Sequence, residues 1–114
     1  RRALALLRQG YGPRHVRTRE AELRLAREQA YTGDASASTR MQALTNAPGN
    51  TFEGRRLRWE ARAYLAEARC RDGDAATATP ALDALEAELR QAYPQGGRLV
   101  REVDAIASAC AARG

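Results

Sequence analysis

The chain contains no lysine and few aromatic residues: one Phe, one Trp and four Tyr among its 114 residues. So few aromatic side chains argue against a platform for stacking nucleic-acid bases. They also argue against a β-sandwich, whose strands need aromatic and β-branched residues. No stretch approaches the roughly 20 consecutive apolar residues of a membrane-spanning helix. Ala, Leu, Arg and Glu dominate instead, and each of them favours helix.

Residues suited to catalysis or metal binding are equally scarce. His15 is the only histidine, and a metal site or a His-based triad would need partners that the chain lacks. Gly96 and Gly97 mark a turn rather than a phosphate-binding loop, because no Gly-Lys-Ser/Thr sequence follows them. The carboxylate residues are scattered along the chain, and no pair of them indicates general acid–base catalysis. We therefore expect one domain (residues 1–114) that is not an enzyme and that binds no metal or cofactor.

Two cysteines are too few for a disulfide framework. Cys70 and Cys110 lie forty residues apart, late on corresponding helices, so neighbouring repeats could bring them close together. Pairing stays open here, but we expect buried free thiols, which suit a reducing compartment. The chain begins with Arg1, which indicates a fragment of a larger protein. We expect a cytoplasmic location, with the periplasm as the alternative if the parent chain is anchored.

All the basic side chains other than the histidine are Arg, and they are unevenly distributed. Residues 1–71 hold fifteen Arg against seven acidic residues (net +8), whereas residues 72–114 hold four against seven (net −3). The use of arginine without lysine would suit bidentate contacts with carboxylate or phosphate groups. A GC-rich coding sequence explains this preference for arginine more simply. The uneven charge indicates an acidic partner or end-to-end self-association.

The most informative pattern is an internal repeat. The stretch from Arg19 to Asp34 reappears forty residues later from Trp59 to Asp74, with Glu-Ala, Leu-Ala and Gly-Asp at matching positions. A third start follows at Arg101, close to two periods after the first. A fixed period of this size is typical of stacked helical units that cannot bury their apolar faces alone.

Apolar spacing and turn residues predict six helices and no strand. The predicted helices cover residues 2–10, 16–32 (with 18 as the alternative start), 35–45, 52–71, 75–92 and 98–112. We expect helices one, three and five in one layer and helices two, four and six in the other. Thr18 and either Asn50 or Thr51 are the candidate caps of helices two and four. The expected core residues are Ala21, Leu25 and Ala26; Ala37, Met41 and Leu44; Leu57, Ala61, Tyr64, Leu65 and Ala68; Leu82, Leu85 and Leu89; and Leu99, Val103, Ile106 and Cys110.

Helix–Gly-Asp–helix units of this kind resemble tetratricopeptide repeats. Gly33 and Gly73 match the turn glycine of that motif, while Ala78 and Leu82 match its small and large apolar residues. The Leu-Ala pairs at 25–26 and 65–66 match its Leu-Gly or Leu-Ala position. The period of forty exceeds the usual 34, and the first repeat departs with Ser38 and Gln42. The resemblance implies a right-handed α-solenoid of antiparallel helix pairs, with units at about 16–46, 52–92 and a partial 98–112.

The segment Gly12-Pro13-Arg14-His15-Val16-Arg17-Thr18 resembles the linker of kinesin-light-chain-type repeats, with Val16 in place of a proline. That resemblance implies that His15 is a turn residue that hydrogen-bonds its own backbone. It also implies a bacterial regulatory or signalling protein as the parent chain.

In tetratricopeptide-like stacks the first helix of each pair lines a concave groove. The resemblance places six residues of this chain at groove positions: Arg24, Arg27, Tyr31, Tyr64, Glu67 and Arg71. Such side chains could clamp a carboxylate or an acidic peptide. The simpler alternatives are a solvated helix face and, for Tyr64, a place in the core.

Helix four carries the densest basic cluster. Its members are Arg55, Arg56, Arg58 and Arg62, with Phe52 and Trp59 nearby. The cluster could bind nucleic acid or phosphate, but Glu53 and Glu60 interrupt it, and Arg56 with Glu60 forms an ordinary i, i+4 pair. Trp59 could be an exposed anchor for a partner or lie buried under the preceding loop.

Taken together, the sequence predicts a protein–protein interaction module that binds a partner peptide or protein, acidic by preference, within a regulatory protein. The alternative is a structural or oligomerisation domain, since the first and last helices expose faces that could take a neighbour, including a second copy. Nucleic-acid binding through helix four is the weaker alternative.

Overall fold

The computed structural model describes residues 2–12 and 14–113. These residues form helices and no strand, so the expected all-helical class is confirmed. The described helices are α1 (Arg2–Tyr11), α2 (Val16–Tyr31), α3 (Ser36–Leu44), α4 (Phe52–Arg71), α5 (Ala75–Ala92) and α6 (Arg98–Arg113). Each boundary lies within a residue or two of its prediction, because Gly, Pro and capping residues mark the helix ends in the sequence.

The chain divides into two compact units, Arg1–Ala61 and Arg62–Gly114. In the first unit α1 packs against α2 and α2 packs against α3. In the second unit α5 packs against α6. Helix α4 contributes its first half to one unit and its second half to the other.

Most of the predicted core is buried. The expected residues of α3, α4, α5 and α6 all lie in the interior, joined by Ala63, Ala66, Ala78 and Val100. Helix α2 differs, because its buried face passes through Thr18, Leu23 and Ala26, whereas Ala21 and Leu25 are only half-buried. A helix with few large apolar residues gives a weak periodic signal, so the sequence identified only Ala26 of this buried face correctly.

The two Gly-Asp turns have the same hydrogen-bond pattern. The Gly33 N–H donates to the Ala30 carbonyl and the Asp34 N–H donates to the Gln29 carbonyl, at 3.2 and 3.0 Å. Forty residues later Gly73 donates to Cys70 and Asp74 donates to Arg69, at 3.1 and 2.9 Å. Both are Schellman motifs, in which a glycine with positive φ ends the helix and satisfies its last carbonyls.

Side chains cap the starts of α2, α4 and α5. His15 Nδ1 accepts a hydrogen bond from the Arg17 N–H at 3.1 Å, which confirms that this residue bonds its own backbone. Thr51 Oγ1 accepts from the Gly54 N–H at 3.0 Å, and Asp74 accepts from the Thr77 N–H at 3.3 Å. These bonds satisfy amide groups that the first helical turn leaves without partners.

Thr18 does not cap α2, so that alternative start was wrong. The helix already begins at Val16, and Thr18 is completely buried in its first turn, where its hydroxyl donates to the Leu7 carbonyl of α1 at 3.3 Å. The Thr18 side chain therefore joins two helices instead of ending one. Pro13 of the linker segment lies outside the described residues.

The expectation of free thiols was also wrong. Cys70 and Cys110 form a disulfide, with their Cα atoms 5.7 Å apart. Both residues are buried, one in the last turn of α4 and the other in the last turn of α6. The forty-residue spacing placed them at corresponding helix ends, but sequence alone could not establish the distance that bond formation requires.

Candidate partner-binding surfaces

The first candidate surface lies on α2 and consists of Arg24, Arg27 and Tyr31. Positions three and four apart share a helix face, so these side chains lie along one side of α2. Arg24 is exposed, and Tyr31 is 48% exposed at the end of the helix. The Arg27 guanidinium carbon lies 5.8 Å from the centre of the Tyr31 ring, within the range of a cation–π contact.

The contact between Arg27 and Tyr31 limits the movement of both side chains. A guanidinium held over a ring has fewer rotamers to lose when it binds a carboxylate, so the contact preorganises the surface. The face offers guanidinium N–H donors beside an exposed aromatic ring. Arginine donors of this kind match carboxylate oxygens two at a time.

The second candidate surface, on α4, is different in character. Tyr64 is only 6% exposed, and its hydroxyl donates to Glu102 Oε1 of α6 at 2.8 Å. Glu67 is half-buried and Arg71 is exposed. The burial of Tyr64 matches its alternative assignment to the core, so Glu67 and Arg71 are the more accessible residues of this surface.

The arginines of the basic cluster contact acceptors within the chain. Arg58 Nη1 donates to the carbonyls of Ala47 and Gly49, at 3.0 and 2.6 Å. Arg55 makes a longer bond of 3.4 Å to the Asn50 carbonyl. Arg58 therefore holds the loop before α4. The sequence analysis missed this role because nothing in the local pattern links a helix residue to carbonyls nine and eleven positions earlier.

The other two arginines of the cluster form ion pairs. Arg56 Nε lies 3.5 Å from Glu60 Oε1, which confirms the expected i, i+4 pair. Arg62 Nη2 lies 2.6 Å from Glu88 Oε2 of α5. Because these contacts neutralise or occupy the guanidinium groups, the cluster offers less positive charge to phosphate than its sequence implies.

Arg40 connects the end of α2 to the start of α3. Its guanidinium bonds Gln29 Oε1 and Ser36 Oγ and lies 3.5 Å from Asp34 Oδ2. Hydrogen bonds from the hydroxyl and the backbone N–H of Ser36 are the main reason that the pKa of Asp34 is below its ordinary value. The network stabilises the Gly33 turn next to Tyr31.

An acidic group lies between α5 and α6. Burial raises the pKa of Glu86 above its ordinary value, and the charge of Asp104 acts in the same direction. Arg90 opposes both effects, with its Nη2 3.9 Å from Glu86 and 3.6 Å from Asp104. Among residues 2–12 and 14–113 no cluster of three or more His, Cys, Asp or Glu side chains is placed to hold a metal ion.

Aromatic and aliphatic side chains are exposed at a few positions. Leu6 on α1 is 60% exposed, and Phe52 is exposed at the start of α4. Tyr11 is also exposed and its ring lies 4.6 Å from the ring of His15. Trp59 is half-buried, between the two alternatives expected for it.

The comparisons with known proteins add nothing about the fold or the function of the chain. No protein-family model, curated protein or solved structure matches the chain. None of the helices in the described part is both long and apolar enough to cross a membrane.

Proposed function

We propose that the chain is a tetratricopeptide-like module that binds an acidic or carboxylate-ended protein segment through the α2 face formed by Arg24, Arg27 and Tyr31. The observation that carries the proposal is the Arg27–Tyr31 contact beside the exposed Arg24 on the same helix face. The two equivalent Gly-Asp turns support a repeat architecture, in which such faces commonly receive partners.

Binding would combine two kinds of contact. Arg24 and Arg27 lie one turn apart and can direct N–H pairs at neighbouring carboxylate oxygens. The exposed ring of Tyr31 offers apolar area beside them, and Tyr and Arg are both frequent at the energetic centres of interfaces. The net charge of +5 favours the approach of an acidic segment.

The test uses fluorescent peptides that end in three acidic residues, either with a free C-terminal carboxylate or with an amide. Fluorescence anisotropy measures their affinity for the natural chain and for an Arg24→Ala/Arg27→Ala variant. We expect the double substitution to weaken binding by at least about tenfold, because each lost charged hydrogen bond costs roughly 1.5–3 kcal/mol. Amidation should weaken binding further if a terminal carboxylate is the group recognised.

The matched control is Arg98→Ala/Arg101→Ala. Like Arg24 and Arg27, these two arginines lie three residues apart on one helix, here α6. Both are exposed, whereas Arg27 is half-buried. Equal losses in the two variants would show that only net charge matters. Unchanged affinity in the α2 variant would contradict the proposal.

Self-association is the second candidate function, favoured by the exposed Leu6 on α1. Leu4 of the same short helix is buried, so α1 has apolar residues on two sides. Light scattering over a concentration series should show a dimer that Leu6→Gln abolishes, and a monomer at every concentration would contradict this function.

The disulfide bears on the proposed location. Disulfides persist in oxidising compartments and are rare in the cytosol. The Cys70–Cys110 bond therefore favours the periplasmic alternative over the cytoplasmic expectation.

A further inference from the structure

The last turns of α6 are attached to the second unit almost entirely through Cys110. Leu99, Val103 and Ile106 bury the first part of the helix, whereas Cys110 is the only buried residue among residues 107–113. The remaining residues of that segment are exposed or half-buried, and most are alanines. Noncovalent packing therefore contributes little to holding this segment in place.

Among the described residues, a hydrogen bond and a covalent disulfide link α6 to α4. The Tyr64–Glu102 hydrogen bond lies in the first turns of α6, and the Cys70–Cys110 bond lies near its end. Moving along α4 from Tyr64 to Cys70 corresponds to moving along α6 from Glu102 to Cys110. The two helices therefore run in the same direction at these contacts, with the covalent bond at the C-terminal side.

From this arrangement we propose that the disulfide is a redox latch for residues 107–113. With the bond formed, the end of α6 is held against the last turn of α4. With the bond reduced, that segment opens locally while Arg1–Ala61, which has its own set of contacts, is unaffected. The proposal does not depend on the peptide-binding function.

The chemical step requires a dithiol reductant. Its thiolate attacks one sulfur of the disulfide and releases the other as a thiolate, and the second thiol of the reductant then resolves the mixed disulfide. Two electrons and two protons pass to the protein, giving two cysteine thiols and the oxidised reductant. Because both cysteines are buried, this attack needs a prior opening of the helix ends, and reduction of the native protein will be slow.

Reduction of the disulfide also affects the second candidate surface, on α4. Cys70 lies between Glu67 and Arg71 in the last turns of α4, where the covalent bond restrains the backbone. When the latch opens, these two side chains lose that restraint. The α2 face lies in the other unit and should not respond.

The test is hydrogen exchange of the intact chain, followed by mass spectrometry, in three states. They are the oxidised protein, the protein reduced with dithiothreitol and checked by thiol alkylation, and the Cys70→Ser/Cys110→Ser variant. We expect residues 107–113 and the last turn of α4 to exchange on the order of 10²-fold faster in the second and third states, because Cys110 is the only buried residue that holds this segment. Residues 16–44 should exchange equally in all three states.

Several results would overturn the proposal. Equal exchange of residues 107–113 in the oxidised and reduced protein would show that the bond restrains nothing locally. Accelerated exchange across residues 16–44 as well would show that the disulfide stabilises the whole chain and not only residues 107–113. Alkylation of both thiols in the air-oxidised protein would show that the bond does not form. An effect of dithiothreitol on the exchange of the double serine variant would assign the change to another cause.

Discussion

Gly33 and Gly73, forty residues apart, adopt the same left-handed backbone conformation, with φ of 87° and 90°. Side chains with a Cβ are strained in this region. We expect Gly33→Ala and Gly73→Ala each to lower the free energy of unfolding by about 1–2 kcal/mol. Urea denaturation followed by circular dichroism measures the loss.

Gly10 provides the control for these substitutions. It lies within α1, has no positive φ, and nothing lies within 4 Å of the position that a Cβ would take. Gly10→Ala should therefore raise stability, by roughly 0.5–1 kcal/mol, because alanine favours helix. The same change in the same direction at all three positions would contradict the assignment of the turns.

Arg58 should contribute more to stability than its neighbour Arg55. Arg58→Ala removes both hydrogen bonds to the loop before α4 and should cost about 1–3 kcal/mol, since the donor is charged. Limited proteolysis of residues 46–50 should become faster. Arg55 is exposed and makes one long bond, so Arg55→Ala should change stability by no more than about 0.5 kcal/mol. A larger effect from Arg55 would be inconsistent with this role for Arg58.

The Thr18 hydroxyl should stabilise the packing of α1 on α2. Thr18→Val keeps the shape of the side chain but removes its donor to the Leu7 carbonyl, which should cost about 0.5–1.5 kcal/mol. Thr79→Val makes the same change at an exposed position of α5 and should be close to neutral. Thermal unfolding of the two variants in parallel measures the difference, and equal melting temperatures would rule out a stabilising hydrogen bond.

The raised pKa of Glu86 makes a prediction about pH. A carboxyl group whose pKa is higher in the folded chain favours folding while it is protonated, and that contribution is lost as pH rises through the folded pKa. Glu86→Gln should therefore be at least as stable as the natural chain at pH 7, by roughly 0–1 kcal/mol, and this advantage should disappear near pH 4. Denaturant unfolding at the two pH values measures it.

Glu88 serves as the matched comparison for Glu86. It lies two residues later on the same helix, but its Oε2 is 2.6 Å from Arg62. Glu88→Gln removes an ion pair and should lower stability at pH 7 by about 0.2–1 kcal/mol. If both Gln variants changed stability in the same direction at pH 7, the electrostatic account of Glu86 would be wrong.

The sequence could predict most of the secondary structure and part of the core. Glycine, proline and capping residues act over one turn, which is why the bounds of α4 and α5 agree with their prediction. Large apolar residues at helical spacing likewise identified the buried faces of α3, α5 and α6. The error on α2 arose where small and polar residues dominate, because burial there depends on what packs opposite.

The candidate sites were less predictable. Spacing alone placed Arg24, Arg27 and Tyr31 on one face, since that is a property of a single helix. Tyr64 also fitted a groove position by spacing, yet it is buried with its hydroxyl on Glu102, 38 residues away. No sequence pattern around Tyr64 indicates a hydrogen-bond partner so far along the chain.

The sequence by itself determined the helices, the two Gly-Asp turns and the side chains that share a helix face, because these depend on interactions within a few residues. Only the tertiary structure decided that Cys70 and Cys110 are bonded, that Arg58 holds a loop, and that Thr18 joins two helices. Each of these depends on distances between segments well separated in sequence. Such distances follow from how whole helices pack, and side-chain spacing along one helix does not specify them.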